Sequence, residues 1–266
     1  MNMKWLGVGL LMAGTFVMQS SAYADVTGGD SKGYGIFVAL ELIGIPVLTI
    51  PETAVAQGTA PGPYSDFDQV LSVGVGVPLV ASVATGVLEA NATSDINGGA
   101  GNRFAFSDSL VDDLDVIVGP SAVGPNLLEV TADTIGSSSI ITGDYASMTP
   151  LGSMILENLT ISVSGTSLNI PISLAPNTIL FDALGIRIVL NEQFSITNLA
   201  NASQVTNAIH IELDEAVTGG GLLSGDIIIA HSDAAMVAVV PEPATFVGLG
   251  AGLGLLALLR RRPGCR

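Results

Sequence analysis

Between residues 25 and 239 the chain carries no apolar stripe at helical spacing longer than two turns, whereas apolar residues return at every second position in several stretches. Tyr34, Ile36, Val38 and Leu40 fall on one side of an extended segment, with Gly35, Phe37 and Ala39 on the other. Leu71, Val73, Val75, Val77 and Leu79 repeat the pattern against Ser72, Gly74, Gly76 and Pro78. Side chains of an extended chain alternate between faces, so period two with β-branched residues predicts strands buried mainly on one side.

The rest of the region reads in the same way. Residues 44–46 break the first strand, 47–50 resume it, and 57–66, with Gly58, Pro61, Gly62 and Pro63, read as a loop. Further strands are expected at 83–91 and from 103 to 110, on either side of a glycine-rich turn at 97–101. Residues 128–136 are open between strand and short helical turn. Residues 137–144 are serine-rich and β-branched. A hairpin is expected from 154–163 and 167–174 around Ser164-Gly165-Thr166, and a strand interrupted by Gly185 at 179–190. Short strands at 208–213 and 226–230 close the set. Ile45-Pro46 with Pro51, and Ile170-Pro171 with Pro176, share one spacing; proline donates no ladder hydrogen bond, so both copies suggest edge strands or strand entries. The expected fold is all-β, an antiparallel sandwich or barrel-like domain of short strands, since turn signals recur about every ten residues.

Both ends differ from this middle. Residues 1–24 hold Lys4, an apolar run from Trp5 to Met18, and Ala22-Tyr23-Ala24, the parts of a secretory signal peptide cut after Ala24. At the other end Val240-Pro241-Glu242-Pro243 precedes sixteen uncharged residues, 244–259, and then Arg260, Arg261 and Arg262. Sixteen helical residues rise about 24 Å, short of the ~30 Å hydrocarbon layer, so such a helix spans only with snorkelling arginines or a thinned bilayer. By the positive-inside rule these arginines stay cytoplasmic, which leaves everything before Pro241 on the far side. The division is a signal peptide at 1–24, a β-rich extracellular domain at 25–239 and a tail at 240–266 with a transmembrane segment at 244–259.

Charge follows this division. From Asp25 to Pro243 only Lys32, Arg103 and Arg187 stand against all 24 acidic residues, a net charge of −21. Such a surface repels nucleic acid and excludes it as a partner. The single cysteine, Cys265, lies beyond the arginines, so no disulfide staples the exported part, and its core must suffice.

The pattern of Pro241-Glu242-Pro243, apolar helix and basic cluster resembles the PEP-CTERM sorting tail. That resemblance implies export, recognition by an exosortase-like membrane transpeptidase and cleavage near the Pro-Glu-Pro. Within the domain, Gly33-Tyr34-Gly35, the segment from Gly58 to Tyr64, Gly143-Asp144-Tyr145, the segment from Gly185 to Gln193 and the segment from Gly225 to Ser232 together resemble the choice-of-anchor P family of surface proteins. No activity comes with that resemblance, and it implies no catalytic residue.

Three groups of residues offer candidate chemistry. Alternation places His210, Glu212 and Asp214 on one strand face, about 7 Å apart step to step, so they hold one ion only with help from another strand. His231, Ser232 and Asp233 are the residue types of a serine triad, but consecutive in sequence and without a Gly-x-Ser-x-Gly elbow. Asp108 with Asp112, Asp113 and Asp115 is the densest acidic cluster and offers calcium hard oxygen ligands; Asp112, Asp113 and Asp115 are the calcium candidates, although no twelve-residue calcium loop is present. Sugar binding leans on aromatic platforms, and the few aromatic residues are expected to go at least in part into the core.

The sequence therefore points to a non-enzymatic envelope or extracellular-matrix protein without an obligatory cofactor. Its processing residues are Ala24, Pro241, Glu242, Pro243 and Arg260, Arg261 and Arg262. Its partners are an exosortase-like enzyme, the membrane through the C-terminal helix before processing, and exopolysaccharide or other surface components. Two other readings stay open: a calcium-dependent adhesion or ligand-binding module, and a secreted hydrolase.

Overall fold

The computed structural model describes residues 25–120, 124–171, 175–218 and 220–239. The signal peptide, the sorting tail and all seven processing residues lie outside these. Among the described residues there is no helix, and none long and apolar enough to cross a membrane. Val26–Ala238 forms one compact unit.

The strands in chain order are β1 (Asp25–Leu42), β2 (Ile45–Thr59), β3 (Tyr64–Val70), β4 (Val73–Val77), β5 (Ala81–Thr85), β6 (Leu88–Asp95), β7 (Phe104–Val118) and β8 (Leu128–Thr142). There follow β9 (Thr149–Glu157), β10 (Thr160–Val163), β11 (Thr166–Ser167), β12 (Thr178–Ala183), β13 (Ile186–Thr197), β14 (Asn201–Thr218) and β15 (Gly221–Val239). A six-stranded sheet has the order β12-β13-β14-β15-β1-β2. A nine-stranded sheet has the order β11-β10-β8-β7-β5-β4, with β6 and β3 continuing beside β7 and β9 beside β8. The fold is all-β and antiparallel, as the alternation predicts. Neither pairing order returns to its start, so each sheet is open and the two share one interior.

Strand length is where the sequence reading needs correction. β1 and β14 run to 18 residues and β15 to 19, and β2, β7 and β8 to 15 each, where short strands were expected. Residues 128–142 are one strand, which settles 128–136 as extended, and the loop expected at 57–66 shrinks to the four residues between β2 and β3. Residues 179–190 are not one strand but a hairpin. Leu184 and Gly185 both have positive φ, 58° and 73°, the requirement of a two-residue hairpin turn whose twist matches its strands. Ile43-Gly44 and Ser164-Gly165 turn their hairpins in the same way. Pro46 and Pro51 sit on β2, an edge of the six-stranded sheet, as their missing donors require.

The interior is layered along the strands. At one end Ile36, Leu40, Leu88, Val116, Val130, Ile188, Ile211 and Ile229 belong to one large apolar cluster from both sheets. At the other end Val26, Ile96, Ala105, Ile141, Met148, Ala234 and Met236 form a smaller one. Between them lies a belt of buried hydroxyls, from Ser107, Ser109, Ser137 and Ser139 on one sheet and Thr206 and Ser232 on the other. Ser137 Oγ donates to Ser232 Oγ at 3.0 Å, Ser139 Oγ to Thr206 Oγ1 at 3.0 Å, and Ser107 Oγ to the Asp233 carbonyl at 2.6 Å. Buried polar groups are tolerable only when bonded, and these bond across the interior, tying sheet to sheet.

The sheets approach closely at β1. A Cβ on Gly33 would collide with the Asp108 carbonyl, and one on Gly35 with the Leu88 side chain, both on the nine-stranded sheet. Aromatic residues enter the interior in part, as expected: Tyr34 is buried, and Phe181, Tyr145 and Tyr64 pack against the three apolar clusters. Among the described residues no phenylalanine is fully buried, and Phe67 and Phe194 are more than half exposed. Ile, Leu, Val and Ala supply most of the core.

Candidate functional site

The outer face of the six-stranded sheet holds the densest group of ionisable side chains that touch one another, and a break in strand alternation puts them there. On β13, Ile186, Ile188 and Leu190 point inward, so strict alternation would bury Glu192 among them. Asn191 has φ 54° and turns the next residue outward. On β15, Ile227 and Ile229 point inward and His231 would follow, but Ala230 has φ 52°, which sends His231 out and Ser232 in. On β14 the phase changes between Thr206, bonded to Ser139, and Ile209 in the apolar cluster, which leaves Asn207 on the outside. On β1 it changes at Gly35, so Tyr34 lies on the face opposite Ile36, correcting the sequence reading that placed the two together.

Glu192, Asn207 and His231 are register partners on three adjacent strands and form one row. Asn207 Nδ2 donates to Glu192 Oε2 at 2.7 Å, so its Oδ1 is left to accept from His231 Nδ1 at 2.6 Å. His231 Nε2 lies 3.3 Å from Asp233, and the ring stacks on Tyr34 with centroids 4.3 Å apart. Lys32 covers Tyr34 at 5.5 Å and pairs with Glu52 at 2.5 Å. His210 Nδ1 donates to Glu192 Oε2 at 2.9 Å and Nε2 to Asp226 Oδ1 at 3.1 Å. A carboxylate can accept only where the ring nitrogen facing it carries a proton, so the two contacts together favour the imidazolium.

The electrostatics agree with this geometry. The hydrogen bond to Glu192 is the main cause that raises His210 above its ordinary value; burial opposes it, and the charges of Glu192 and Asp226 assist. Burial alone would push Glu192 up, but hydrogen bonds from His210 and Asn207 and the charges of His210 and Arg187 outweigh it and hold its carboxyl below the usual range. Tyr34 is pushed well above the ordinary phenol value by burial first, then by Glu52 and Asp233.

Glu192's contribution to stability is present above its unfolded value, 4.5, and is lost as pH falls through its lowered folded value. His210's contribution is full below 6.5 and is lost as pH rises through its raised folded value. The pair thus stabilises most between pH 4.5 and 6.5. The Tm gap between wild type and His210→Gln is expected to be widest in that window, corresponding to ~1.5–3 kcal/mol for charged hydrogen bonds, and to shrink at higher pH. A gap that stays constant up to pH 9 would count against this pairing.

The other sequence candidates are placed as follows. His210, Glu212 and Asp214 do share the outer face but do not converge, because Glu212 pairs with Arg187 at 3.3 Å and His210 with Glu192 and Asp226. Ser232 faces the hydroxyl belt, on the side of β15 opposite His231, so the two cannot form a triad. Asp112 accepts from Thr134 Oγ1 at 3.0 Å, Asp113 occupies a left-handed position with φ 50°, and Asp115 is exposed. Among the described residues no three His, Cys, Asp or Glu side chains are grouped to hold a metal ion, the calcium candidates included. Sequence reasoning missed Glu192, Asn207 and Asp226 as partners of the histidines. A signal existed: in Ile186-Arg187-Ile188-Val189-Leu190-Asn191-Glu192 strict alternation would carry the Glu192 carboxylate onto the apolar face, and Asn191, which tolerates a left-handed backbone, stands just before it.

The outer face of the nine-stranded sheet is different in kind. Register puts Phe67, Asn91, Asp108, Ser138 and Ser153 in one row across β3, β6, β7, β8 and β9. Thr93, Phe106, Ile140 and Leu151 form the row on one side of it, and Glu89, Leu110, Gly136 and Ile155 the row on the other. Within the polar row Asn91 Nδ2 donates to Asp108 Oδ1 at 2.7 Å and the hydroxyls of Ser138 and Ser153 are 2.7 Å apart. A hollow of about 340 Å³ opens over this row, with Gly136 in its wall, and a second of about 340 Å³ adjoins it at Phe104, Phe106 and Ile140.

Comparison with known proteins adds little. No family model matches the chain, and no curated protein matches it. Among solved structures, the chain shows a likeness to Ail, the attachment invasion locus protein of Yersinia pestis, at 7% identity over 79% of this chain and 99% of that one, with a TM-score of 0.15. A score that low carries neither fold nor function across.

Proposed function

We propose that this is an exported, surface-sorted, non-enzymatic protein of the cell envelope or extracellular matrix, carried out by its signal peptide and processed at its Pro-Glu-Pro tail by an exosortase-like enzyme. The observation that carries the non-enzymatic part is the state of the two histidines. All four ring nitrogens have partners within the domain, Glu192 and Asp226 for His210, Asn207 and Asp233 for His231. A general base or metal ligand needs a nitrogen turned toward substrate or ion, and these are turned toward each other's neighbours. The sorting part rests on sequence alone: the Ala22-Tyr23-Ala24 cleavage signal at one end, and Pro241-Glu242-Pro243, the apolar run and Arg260, Arg261 and Arg262 at the other. The acidic surface favours solubility, and the apolar core shared by the two sheets has to supply the stability that disulfides give many secreted domains. Replacing Glu242 or Pro243 is expected to leave a membrane-bound precursor in a host that has the processing enzyme. Normal release of such a variant would sink the sorting claim.

A further inference from the structure

The outer face of the nine-stranded sheet has the composition of a ligand-binding surface. Phe67, Phe106, Leu110 and Ile155 lie on it although the core would accept apolar side chains, and Phe67 and Ile155 are more than half exposed. Between these apolar residues runs the row of Asn91, Asp108, Ser138 and Ser153, which offers amide, carboxylate and hydroxyl groups side by side. Neighbouring strands are ~4.8 Å apart, so the five strands from β3 to β9 set these groups at a regular step over ~19 Å.

We propose that this groove binds a neutral polysaccharide laid across the strands. A sugar ring has an apolar C–H face and a rim of hydroxyls, and the groove presents both complements in adjacent rows: Phe106, Leu110 and Ile155 for the ring faces, Asn91, Asp108 and Ser138 for the rim. Charge narrows the class. Asp108 and Glu89 line the groove, and the exported part carries a net charge of −21, so uronates, sulfated sugars and nucleic acids are repelled. The same charge opposes a second copy of the chain seated face to face. The inference deepens the matrix reading above by naming the ligand class, but the groove's binding does not depend on how the tail is processed.

The test is affinity electrophoresis of the full-length chain in mild detergent, through gels containing a soluble neutral glucan, mannan or galactan, or polygalacturonate. At least one neutral polymer is expected to retard the protein and polygalacturonate to leave it unretarded. Phe106→Ala and Asp108→Ala should each weaken retardation at least tenfold. Ile155→Ala, at an exposed position where folding has little at stake, should weaken it severalfold, and Phe194→Ala on the other sheet should change nothing. Melting curves identify any variant that fails to fold, and Ile155→Ala then carries the test alone. The proposal is overturned if no neutral polymer retards the protein, if retardation survives all three groove substitutions, if only the acidic polymer binds, or if the groove variants abolish self-association and nothing else. Failure of sorting with binding intact would contradict the matrix reading and leave the groove standing; correct sorting without binding would do the reverse.

Discussion

Gly225→Ala is expected to prevent stable folding. Gly225 has φ 131°, where an L side chain is strained in any surroundings, and a Cβ there would collide with the Ala39 carbonyl. The obstacle is backbone, so no rotamer change relieves it. It is also badly placed, since β15 and β1 are neighbours in the six-stranded sheet and join the last strand of the domain to the first. Backbone strain of this kind costs on the order of 1–3 kcal/mol, and the collision adds to it. Against a total stability of ~5–15 kcal/mol, the loss removes much of what holds the fold. Gly74 is the control. It lies on the edge strand β4 with nothing within 4 Å of a Cβ and no positive φ, so Gly74→Ala should be neutral or stabilise slightly. Urea denaturation of both variants checks the contrast; equal midpoints would refute the close approach of β15 to β1.

The second large effect is expected in the hydroxyl belt. Ser139 Oγ lies within hydrogen-bond reach of Thr206 Oγ1, the Ser232 carbonyl and Ser232 Oγ, and Ser232 Oγ also accepts from Ser137. Ser232→Ala removes the cross-sheet acceptor of Ser137, which keeps only Ser109 on its own sheet, and one of the partners of Ser139, at a cost of ~1–3 kcal/mol. Ser139→Ala should cost about as much. The triple replacement of Ser137, Ser139 and Ser232 by alanine should cost clearly less than the sum of the single ones, because it removes donors and acceptors together. Strict additivity in a mutant cycle would mean that the belt is a set of separate bonds and not a network.

These same features decide how much of the fold was legible in the sequence. The all-β class was, because Ile36 to Leu40 and Val73 to Val77 alternate without interruption. The two-residue turns at Gly44 and Gly165 were marked by glycine. Strand length was not. On β7, β8, β14 and β15 the inward positions pass from Val or Ile to Ser or Thr and back to Ala, so apolar periodicity fades in the middle of strands that continue through it. The phase changes at Asn191, Ala230 and Gly35 then shift the count by one, and a reading that assumes strict alternation puts Tyr34 on the wrong face. The histidine network was legible only in part. His210 was recognised as outward-facing, but its partners come from β13 and β15, strands brought beside it by pairing that no single-sequence pattern encodes. The groove escaped because sequence does not say which aromatics enter the core: Tyr34 is buried and Phe181 packs on the large cluster, whereas Phe67 and Phe106 are left on the outer face.

The central claim is that the chain is exported, cut at both ends and placed at the surface. Intact mass and cell fractionation of the wild-type protein, expressed in a host that has the exosortase-like enzyme, test it most directly. The account predicts a species running from Asp25 to near Pro243, found outside the cytoplasmic membrane. A membrane-bound species still ending at Arg266, or an uncut chain in the cytoplasm, would contradict it.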